Sequence, residues 1–189
     1  MATTTRHPAL LDRDRAVLVV IDVQERYRSV LHDFERMLAS VLRLVQGAAA
    51  LGLPVLVTEQ YPQGLGHTVP ELLEHLPADT HRFEKMTLSC VGEPAFMDTL
   101  TRLGRQQVIL SGLETHACVN QTAHDLLAAG QQVHLPRDAT SARHAADVET
   151  AWEKMRGAGV IPGTSESVLL ELVRTAEAPE FKTLQGLIR

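Results

Sequence analysis

Residues 16–21 read AVLVVI, an unbroken apolar run in which four of the six residues are β-branched. The run ends at a charged residue, Asp22. Strands that are apolar along their whole length are buried on both faces, which is the condition of a parallel sheet covered by helices. The stretch therefore predicts a central strand of an α/β fold, with an acidic side chain at its carboxyl end.

After this strand the chain alternates between helix and strand patterns. Apolar residues recur at three- and four-residue steps between Phe34 and Ala49, and Gly52 and Pro54 then end the predicted helix. The alternation predicts a three-layer α/β/α sandwich with a mostly parallel, Rossmann-like sheet, in one domain that spans residues 1–189. Further strands are predicted at 54–58, 80–83, 108–112, 132–135 and 160–161, and further helices at about 116–129, 148–155 and 165–173.

Composition and charge argue against several classes of protein. The 189 residues carry a net charge of −5 with histidine neutral, which gives no basic face for a nucleic acid. No window approaches the roughly 18 apolar residues of a membrane span. The N-terminal stretch MATTTRHPALLDRDR lacks the charged and apolar regions of a signal peptide, and the two cysteines make no disulfide framework. The sequence therefore predicts a cytoplasmic protein without a nucleic-acid or membrane partner.

Three reactive side chains are predicted at one edge of the sheet. Asp22 ends the first strand, Lys85 follows the short strand at 80–83, and Cys118 lies in the first turn of the helix after the strand at 108–112. In open parallel sheets, ligands bind beyond the carboxyl ends of the strands. Because all three positions are strand ends of this kind, we expect their side chains to converge.

Cys118 has two interpretations on position alone. If Thr115 is the N-cap, Cys118 is the third residue of the helix, where the positive end of the dipole lowers the pKa of a thiol. Unpaired backbone N–H groups at that turn could also hold an oxyanion. A lone cysteine is equally often a small buried apolar residue, which is the interpretation that we give to Cys90.

The other candidates also have ordinary interpretations. Asp22 could cap the following turn, and Lys85 alone could be a solvated surface residue. If the two meet, the ammonium keeps the carboxylate ionised at the end of an apolar strand. Glu59, Glu84 and His67 are scattered and lack the spacing of a metal site. We therefore expect no metal and no other cofactor.

These residues carry a resemblance to a known family. The segments VVIDVQ at 19–24 and GLETHACV at 112–119, together with Lys85, resemble the isochorismatase-like cysteine hydrolases. The segments TEQYP at 58–62, GLG at 64–66 and TSESV at 164–168 are similar to the isochorismatase domain-containing branch. The resemblance runs from about Arg15 to the C-terminus.

The resemblance implies a catalytic triad and a special peptide bond. The triad consists of Asp22, Lys85 and Cys118. A cis peptide between Leu113 and Glu114 would turn the backbone N–H groups of Glu114 and Cys118 toward the reacting oxygen. Non-proline cis bonds cost several kcal/mol and persist only where a site needs them.

Four more residues are candidates for contact with a small-molecule substrate. Gln24 is placed to donate hydrogen bonds near Asp22, although it could equally be structural. Tyr61 and Phe83 could form pocket walls, with core packing as the alternative for Phe83. Thr115 begins the helix that carries the cysteine.

The function that follows is a cysteine-dependent hydrolase that cleaves an amide C–N bond of a small molecule through a covalent intermediate on Cys118. Nicotinamidases in this superfamily carry an Asp-x-His metal motif after the second strand, where this chain has Glu59-Gln60-Tyr61. True isochorismatases need no cysteine nucleophile, so that Cys118 favours covalent chemistry. A catalytically silent ligand-binding or interaction protein with the same fold is the main alternative, and a redox-responsive thiol protein is another.

The protein is also predicted to be a homo-oligomer. Relatives commonly are, and the C-terminal part of the chain offers more apolar surface than a tail usually exposes to water. The same residues could instead seal the core of the domain itself. They are Leu172, Val173, Leu184, Leu187 and Ile188.

Overall fold

A computed structural model describes residues 6–31 and 33–189, so the first five residues of the N-terminal stretch lie outside it. Seven strands and eight α-helices follow one another along the described chain. The strands are β1 (Ala16–Ile21), β2 (Val55–Gln60), β3 (His81–Lys85), β4 (Gln107–Leu113), β5 (Gln132–Pro136), β6 (Thr140–Ser141) and β7 (Ile161–Gly163). The helices are α1 (Phe34–Leu51), α2 (Pro62–Leu65), α3 (Pro70–Leu73), α4 (Pro94–Leu103), α5 (Asn120–Ala128), α6 (Ala145–Ala158), α7 (Ser165–Val173) and α8 (Phe181–Leu187).

All seven strands belong to one parallel sheet. Its order is β3-β2-β1-β4-β5-β7, and the short β6 also pairs with β4. The chain builds outward from β1 to β2 and β3, then crosses over and continues from β4 in the opposite direction. The strand order therefore reverses between β1 and β4, where the doubly wound sheet leaves a crevice.

Helices cover both faces of this sheet, which confirms the predicted three-layer fold. Alternate residues of β1 point to opposite faces, and every residue of this strand is buried. Ala16, Leu18 and Val20 pack with α1, α7 and α8, while Val17, Val19 and Ile21 pack with α4, α5 and α6. Burial on two sides explains why the strand is apolar throughout rather than alternating.

The C-terminal helices seal the core of the chain itself. Leu172, Val173 and Leu184 are buried, and Leu187 and Ile188 pack against the same cluster. These residues therefore do not form the exposed apolar surface on which the prediction of a homo-oligomer drew. The alternative given by the sequence, closure of the domain's own core, is what the structure shows.

The close approach of β4 to β1 depends on one glycine. Gly112 lies opposite Ile21 in the register and has a φ of 117°. A Cβ atom added there would lie 2.0 Å from the backbone oxygen of Ile21. Only glycine therefore lets the two strand ends meet at the crevice. Within the described chain, no helix is long and apolar enough to cross a bilayer.

Candidate active site

The carboxyl ends of three neighbouring strands share an unusual backbone conformation. Asp22 follows β1 with a φ of 56°, Tyr61 follows β2 with a φ of 38°, and Glu114 follows β4 with a φ of 56°. Left-handed backbone at a non-glycine residue costs energy and tends to occur at functional sites. These turns make the edge beside the β1/β4 crevice the candidate active site.

A buried ion pair lies at the centre of this edge. Lys85 Nζ is 2.8 Å from Asp22 Oδ2, and the two side chains are 0% and 1% exposed. At this distance the ammonium contacts Oδ2 directly, and Oδ2 still has a second lone pair with which it can accept a proton. The other carboxylate oxygen, Oδ1, accepts a hydrogen bond of 2.7 Å from the Thr58 hydroxyl.

Three further oxygens surround the lysine. Its Nζ donates to Gln60 Oε1 at 2.6 Å, to Leu88 O at 3.1 Å and to Thr87 O at 3.3 Å. Burial acts to lower the pKa of Lys85, but the Asp22 carboxylate and the two cysteines together raise it above its ordinary value. The ammonium is therefore a fixed positive charge at neutral pH.

Cys118 lies within the electrostatic reach of this pair. Its side chain is buried, and the charges of Asp22 and Lys85 both act on the pKa of the thiol. Burial is the largest effect and raises this pKa to about 12, with Asp22 adding to the rise and Lys85 opposing it. The expectation that the helix dipole lowers the thiol pKa is therefore wrong, because desolvation outweighs it.

The turn that carries the cysteine also differs from the predicted one. Residues Thr115–Val119 form a π-helical turn that leads directly into α5, and Glu114 rather than Thr115 is the capping residue. Cys118 is therefore the fourth helical residue instead of the third. Single π-turns occur frequently at functional sites, because they re-aim side chains within a helix.

The predicted cis peptide between Leu113 and Glu114 is wrong. No peptide bond in the described chain is cis. The left-handed conformation of Glu114, with a φ of 56° and a ψ of 64°, makes the turn between β4 and the helix instead. The arrangement in which the N–H groups of Glu114 and Cys118 point together at one oxygen depended on the cis bond.

Two of the predicted substrate-binding residues, Gln24 and Phe83, make contacts within the protein. The Gln24 amide donates to Gln60 O at 3.0 Å and to Gly66 O, and its oxygen accepts from Gln60 N at 2.8 Å. The Gln24 side chain thus connects the segment after β1 to the end of β2 and to the loop that follows it. This is the structural alternative that the sequence analysis gave for Gln24. Phe83 packs edge-on against Phe96, with the ring centroids 5.7 Å apart, and so belongs to the core.

The other two predicted substrate-binding residues, Tyr61 and Thr115, have groups that a ligand could contact. Tyr61 is 47% exposed at the rim of the site, where its backbone N–H donates to Lys85 O at 3.0 Å. Thr115 is fully buried, and its hydroxyl has no hydrogen-bond partner among the described residues. The same holds for three more polar atoms of this segment: Glu114 Oε1, His116 Nδ1 and Asn120 Oδ1. Unpaired polar atoms of this kind are costly unless a ligand, a water molecule or another chain satisfies them.

Three residues of the site were not among the predicted site residues. Thr58 and Gln60 contact the ion pair from β2. Tyr27 lies in the short helical turn after Asp22, and burial, followed by Cys118, Glu114 and Asp22, raises the pKa of its phenol. The segment TEQYP at 58–62 marked the family resemblance but gave Thr58 and Gln60 no role, and nothing in the sequence singled out Tyr27.

The residues considered for a metal site make other contacts. Glu59 accepts hydrogen bonds from the backbone and hydroxyl of Thr68, at 2.7 and 2.6 Å, and its other oxygen lies 2.9 Å from His67 Nδ1. Burial acts to raise the pKa of Glu59, but these hydrogen bonds lower it overall. Glu84 instead faces Gln63. Among residues 6–31 and 33–189, no three His, Cys, Asp or Glu side chains form a cluster that could hold a metal ion.

A cavity of about 480 Å³ opens near the end of β6, next to the end of β4. Ser141 and Ala142 line it together with three arginines, Arg36, Arg137 and Arg143. Arg143 also reaches the site, because its guanidinium donates to Glu114 Oε2 at 3.3 Å. The cavity is large enough for a small molecule.

Comparison with known proteins places this geometry in a family. Residues 16–167 match the model of the isochorismatase domain. Isochorismatase domain-containing protein 1 of Salmo salar is 43% identical over 173 residues, which are 92% of this chain and 60% of the salmon protein. The chain thus spans about 60% of the length of this curated relative.

Solved structures show the same fold. The MAR1 ribonuclease of Caenorhabditis elegans is 42% identical with a TM-score of 0.91, over 95% of this chain and 92% of that chain. YcaC of Pseudomonas aeruginosa, solved with covalent acrylamide, is 26% identical with a TM-score of 0.88, over 97% and 93%. YcaC of Escherichia coli, described as an octameric hydrolase of unknown specificity, is 25% identical with a TM-score of 0.89, over 97% and 92%. With the domain model matched over most of its length, this chain belongs to the isochorismatase family.

Proposed function

We propose that this protein is a cysteine-dependent hydrolase that cleaves an amide C–N bond of a small molecule. The observation that carries the proposal is the buried Asp22–Lys85 ion pair within electrostatic reach of the Cys118 thiol. Burying two charges is expensive unless they are paired, and a third ionisable group beside them is hard to explain by stability alone. The family, whose members are generally cysteine hydrolases, supports the same reading.

The first half of the reaction acylates the enzyme. Because the pKa of the Cys118 thiol is raised, the thiol is protonated at rest and needs a base at the moment of attack. Asp22 takes this proton while Sγ forms a bond to the carbonyl carbon. The tetrahedral intermediate collapses as the C–N bond breaks, and Asp22 passes the proton to the leaving amine.

The second half returns the free enzyme. Water attacks the thioester carbon and gives a proton to Asp22, and the C–S bond then breaks. The acid leaves and Cys118 takes the proton back. Lys85 keeps its charge throughout, so that Asp22 begins each half as a carboxylate.

The developing oxyanion needs a donor close to Sγ. The backbone N–H of Cys118 is the donor that we propose, because the oxygen forms on the carbon that the same residue attacks. One such donor is worth roughly 3–4 kcal/mol in comparable sites. The Glu114 N–H was predicted as a second oxyanion donor on the basis of a cis peptide, and we do not assign it that role because the peptide is trans.

Burial supports a small substrate over a polymer. Asp22, Lys85 and Cys118 are each at most 2% exposed, and a narrow opening to such groups admits a small molecule more readily than a polymer backbone. The unpaired polar atoms of the segment from Glu114 to Asn120 supply groups that a small polar substrate could bind. This supports a small amide and argues against carrying over the ribonuclease activity named for the C. elegans relative.

The test uses acrylamide, a small amide with an electrophilic carbon that is bound covalently in the P. aeruginosa relative. The protein, a Cys118→Ala variant and an Asp22→Asn variant are incubated with it near neutral pH and analysed by peptide mass spectrometry. Cys118 should be labelled far faster than Cys90, and Asp22→Asn should slow the labelling. A Cys90→Ala control should keep the Cys118 adduct.

Turnover is then measured on a panel of small primary amides by the release of ammonia. Cys118→Ala should abolish any activity found, with an unchanged circular dichroism spectrum, because alanine is a good helix former. If wild-type Cys118 reacts no faster than Cys90 and no amide is hydrolysed, the alternative of a catalytically silent binding protein is favoured. Full activity in the Asp22→Asn variant would defeat the mechanism.

We also propose that the protein is a homo-oligomer, as the E. coli relative is described to be. Three large apolar side chains are exposed close to Lys85, at the same edge as the site: Tyr61 at 47%, Met86 at 71% and Leu88 at 46%. Exposed apolar residues grouped in this way are typical of a protein–protein contact. The proposed location is the cytoplasm.

A further inference from the structure

The side chain of Thr58 has no place in the mechanism described so far, although it contacts the proposed base. Its hydroxyl lies 2.7 Å from Asp22 Oδ1, and the residue is 1% exposed. Its backbone is fixed as well, because Thr58 pairs with Ile21 in the sheet and its carbonyl accepts the Asp22 N–H at 3.1 Å. Two hydrogen bonds thus attach Asp22 to one residue of the neighbouring strand.

The direction of the hydroxyl bond follows from the inventory of donors. An ionised carboxylate can only accept, so the single hydrogen of the Thr58 hydroxyl points at Asp22. The hydroxyl oxygen can still accept a hydrogen bond. Cys90 Sγ lies 3.8 Å from it, within the range of a bond to sulfur, and the thiol is the donor.

Cys90 is held in place for this role. The residue is fully buried, and its backbone N–H donates to Thr122 Oγ1 at 2.9 Å. Burial, followed by the charge of Asp22, raises the pKa of the Cys90 thiol to about 11, so that it carries its hydrogen at neutral pH. A chain of donors thus runs from Cys90 through Thr58 to Asp22.

We propose that Thr58, oriented by Cys90, is a positioning residue that holds the Asp22 carboxylate by Oδ1 so that Oδ2 can take the proton of Cys118. The carboxylate has two oxygens with different tasks. Oδ1 is fixed by the threonine, while Oδ2 lies 2.8 Å from the Lys85 ammonium and is the oxygen that remains to take a proton. This inference rests on the proposed function.

A hydrogen bond from Thr58 favours the charged form of the carboxylate. Without it, the acid-side limb of the pH profile for Cys118 labelling should move to a higher pH. Labelling of Cys118 by acrylamide reads this change, because the carboxylate must be ionised to take the thiol proton. In that reaction Sγ bonds to the terminal carbon of the double bond, and the neighbouring carbon gains the proton.

The experiment measures the rate of labelling between pH 4 and 8 for wild type and variants, by mass spectrometry. Thr58→Val keeps the shape and removes the hydroxyl. It should move the acid-side midpoint upward by about one pH unit, the size expected for a hydrogen bond to a charged group. Thr58→Ser, which retains a hydroxyl, should restore the wild-type midpoint. Cys90→Ala should also move the acid-side midpoint upward, by less than Thr58→Val does.

Thr99→Val is the matched control. Thr99 is another buried threonine, and its hydroxyl contacts Arg102 on α4 and not the ion pair. The acid-side midpoint of Cys118 labelling in Thr99→Val should stay at the wild-type value. If Thr58→Val does not fold, Thr58→Ala is measured in the same way.

An unchanged midpoint in a folded variant without the Thr58 hydroxyl would overturn the inference. That failure is distinct from failure of the proposed function. If Asp22→Asn abolishes labelling while the Thr58 variants behave as wild type, only the positioning role is lost. If Asp22→Asn labels at the wild-type rate, the base itself is wrongly assigned, and the positioning role falls with it.

Discussion

Removal of one partner of the buried Lys85–Asp22 ion pair should destabilise the protein strongly, and this gives a quantitative test. Lys85→Met keeps most of the volume of the stem but deletes the ammonium, so that a carboxylate that is 1% exposed loses its counter-charge. Breaking a buried pair by removing one partner costs about 3–5 kcal/mol. Against a typical total of roughly 5–15 kcal/mol, this is at least about a fifth of the free energy of unfolding.

The reverse substitution should cost less. In Asp22→Asn the ammonium remains, but Gln60 Oε1, Thr87 O and Leu88 O still surround it. We therefore expect a loss near the lower end of the same range, about 3 kcal/mol. In the double variant no buried charge remains, so its loss should be smaller than the sum of the two single losses by about 2–3 kcal/mol.

Urea unfolding at pH 7 measures these free energies, with the fluorescence of Trp152, the one tryptophan of the sequence, as the probe. Circular dichroism provides a second probe and checks that the transition is two-state. Two single losses that add within about 0.5 kcal/mol in the double variant would refute the reasoning, because independent sites add in this way. Losses below about 1 kcal/mol would show that the pair behaves as a surface ion pair.

Three other predictions concern pH, metal and assembly. Burial lowers the pKa of His134 from 6.5 to about 4. The unfolded chain therefore takes up this proton first, and the contribution of His134 to the free energy of unfolding, which is complete above pH 6.5, falls as the pH drops toward 4. The free energy of unfolding should fall by roughly 2–3 kcal/mol more between pH 7 and 4.5 in wild type than in His134→Leu, and equal losses would contradict this. A chelator should leave the rate of Cys118 labelling unchanged, and a loss that added metal restores would show that the site needs an ion. Light scattering at micromolar concentration should give a mass above the 20.8 kDa of one chain, and Met86→Glu should lower it, whereas a 20.8 kDa wild-type particle would rule out association.

The fold could be predicted from the sequence because its information is local and repeated. The run from Ala16 to Ile21 is apolar on both faces, and together with the alternation of helices and strands this pattern favours a covered parallel sheet. The positions of Asp22 and Lys85 at strand ends followed directly, because parallel strands place their carboxyl ends on one edge. The structure then pairs these two side chains at 2.8 Å.

The details of the site could not be predicted, because they depend on contacts between distant parts of the chain. Thr58 meets Asp22 only through the register of β2 against β1. The raised pKa of Cys118 arises from burial beneath the finished fold, which outweighs the local effect of the helix dipole. The conformation of Glu114 is likewise set by how β4 ends against its neighbours, and the sequence alone favoured a different bond there.

The left-handed backbone at the ends of β1, β2 and β4 has a consequence for the evolution of this protein. Each such residue costs about 1–2 kcal/mol relative to a relaxed conformation, and glycine would avoid most of this cost. Selection for thermal tolerance alone would therefore replace Asp22, Tyr61 and Glu114, the residues that bear the site's side chains. With these residues in place, the sheet gives up stability at the edge that carries its reactive groups. Stabilising substitutions compatible with activity should be sought at the opposite, amino-terminal edge of the strands.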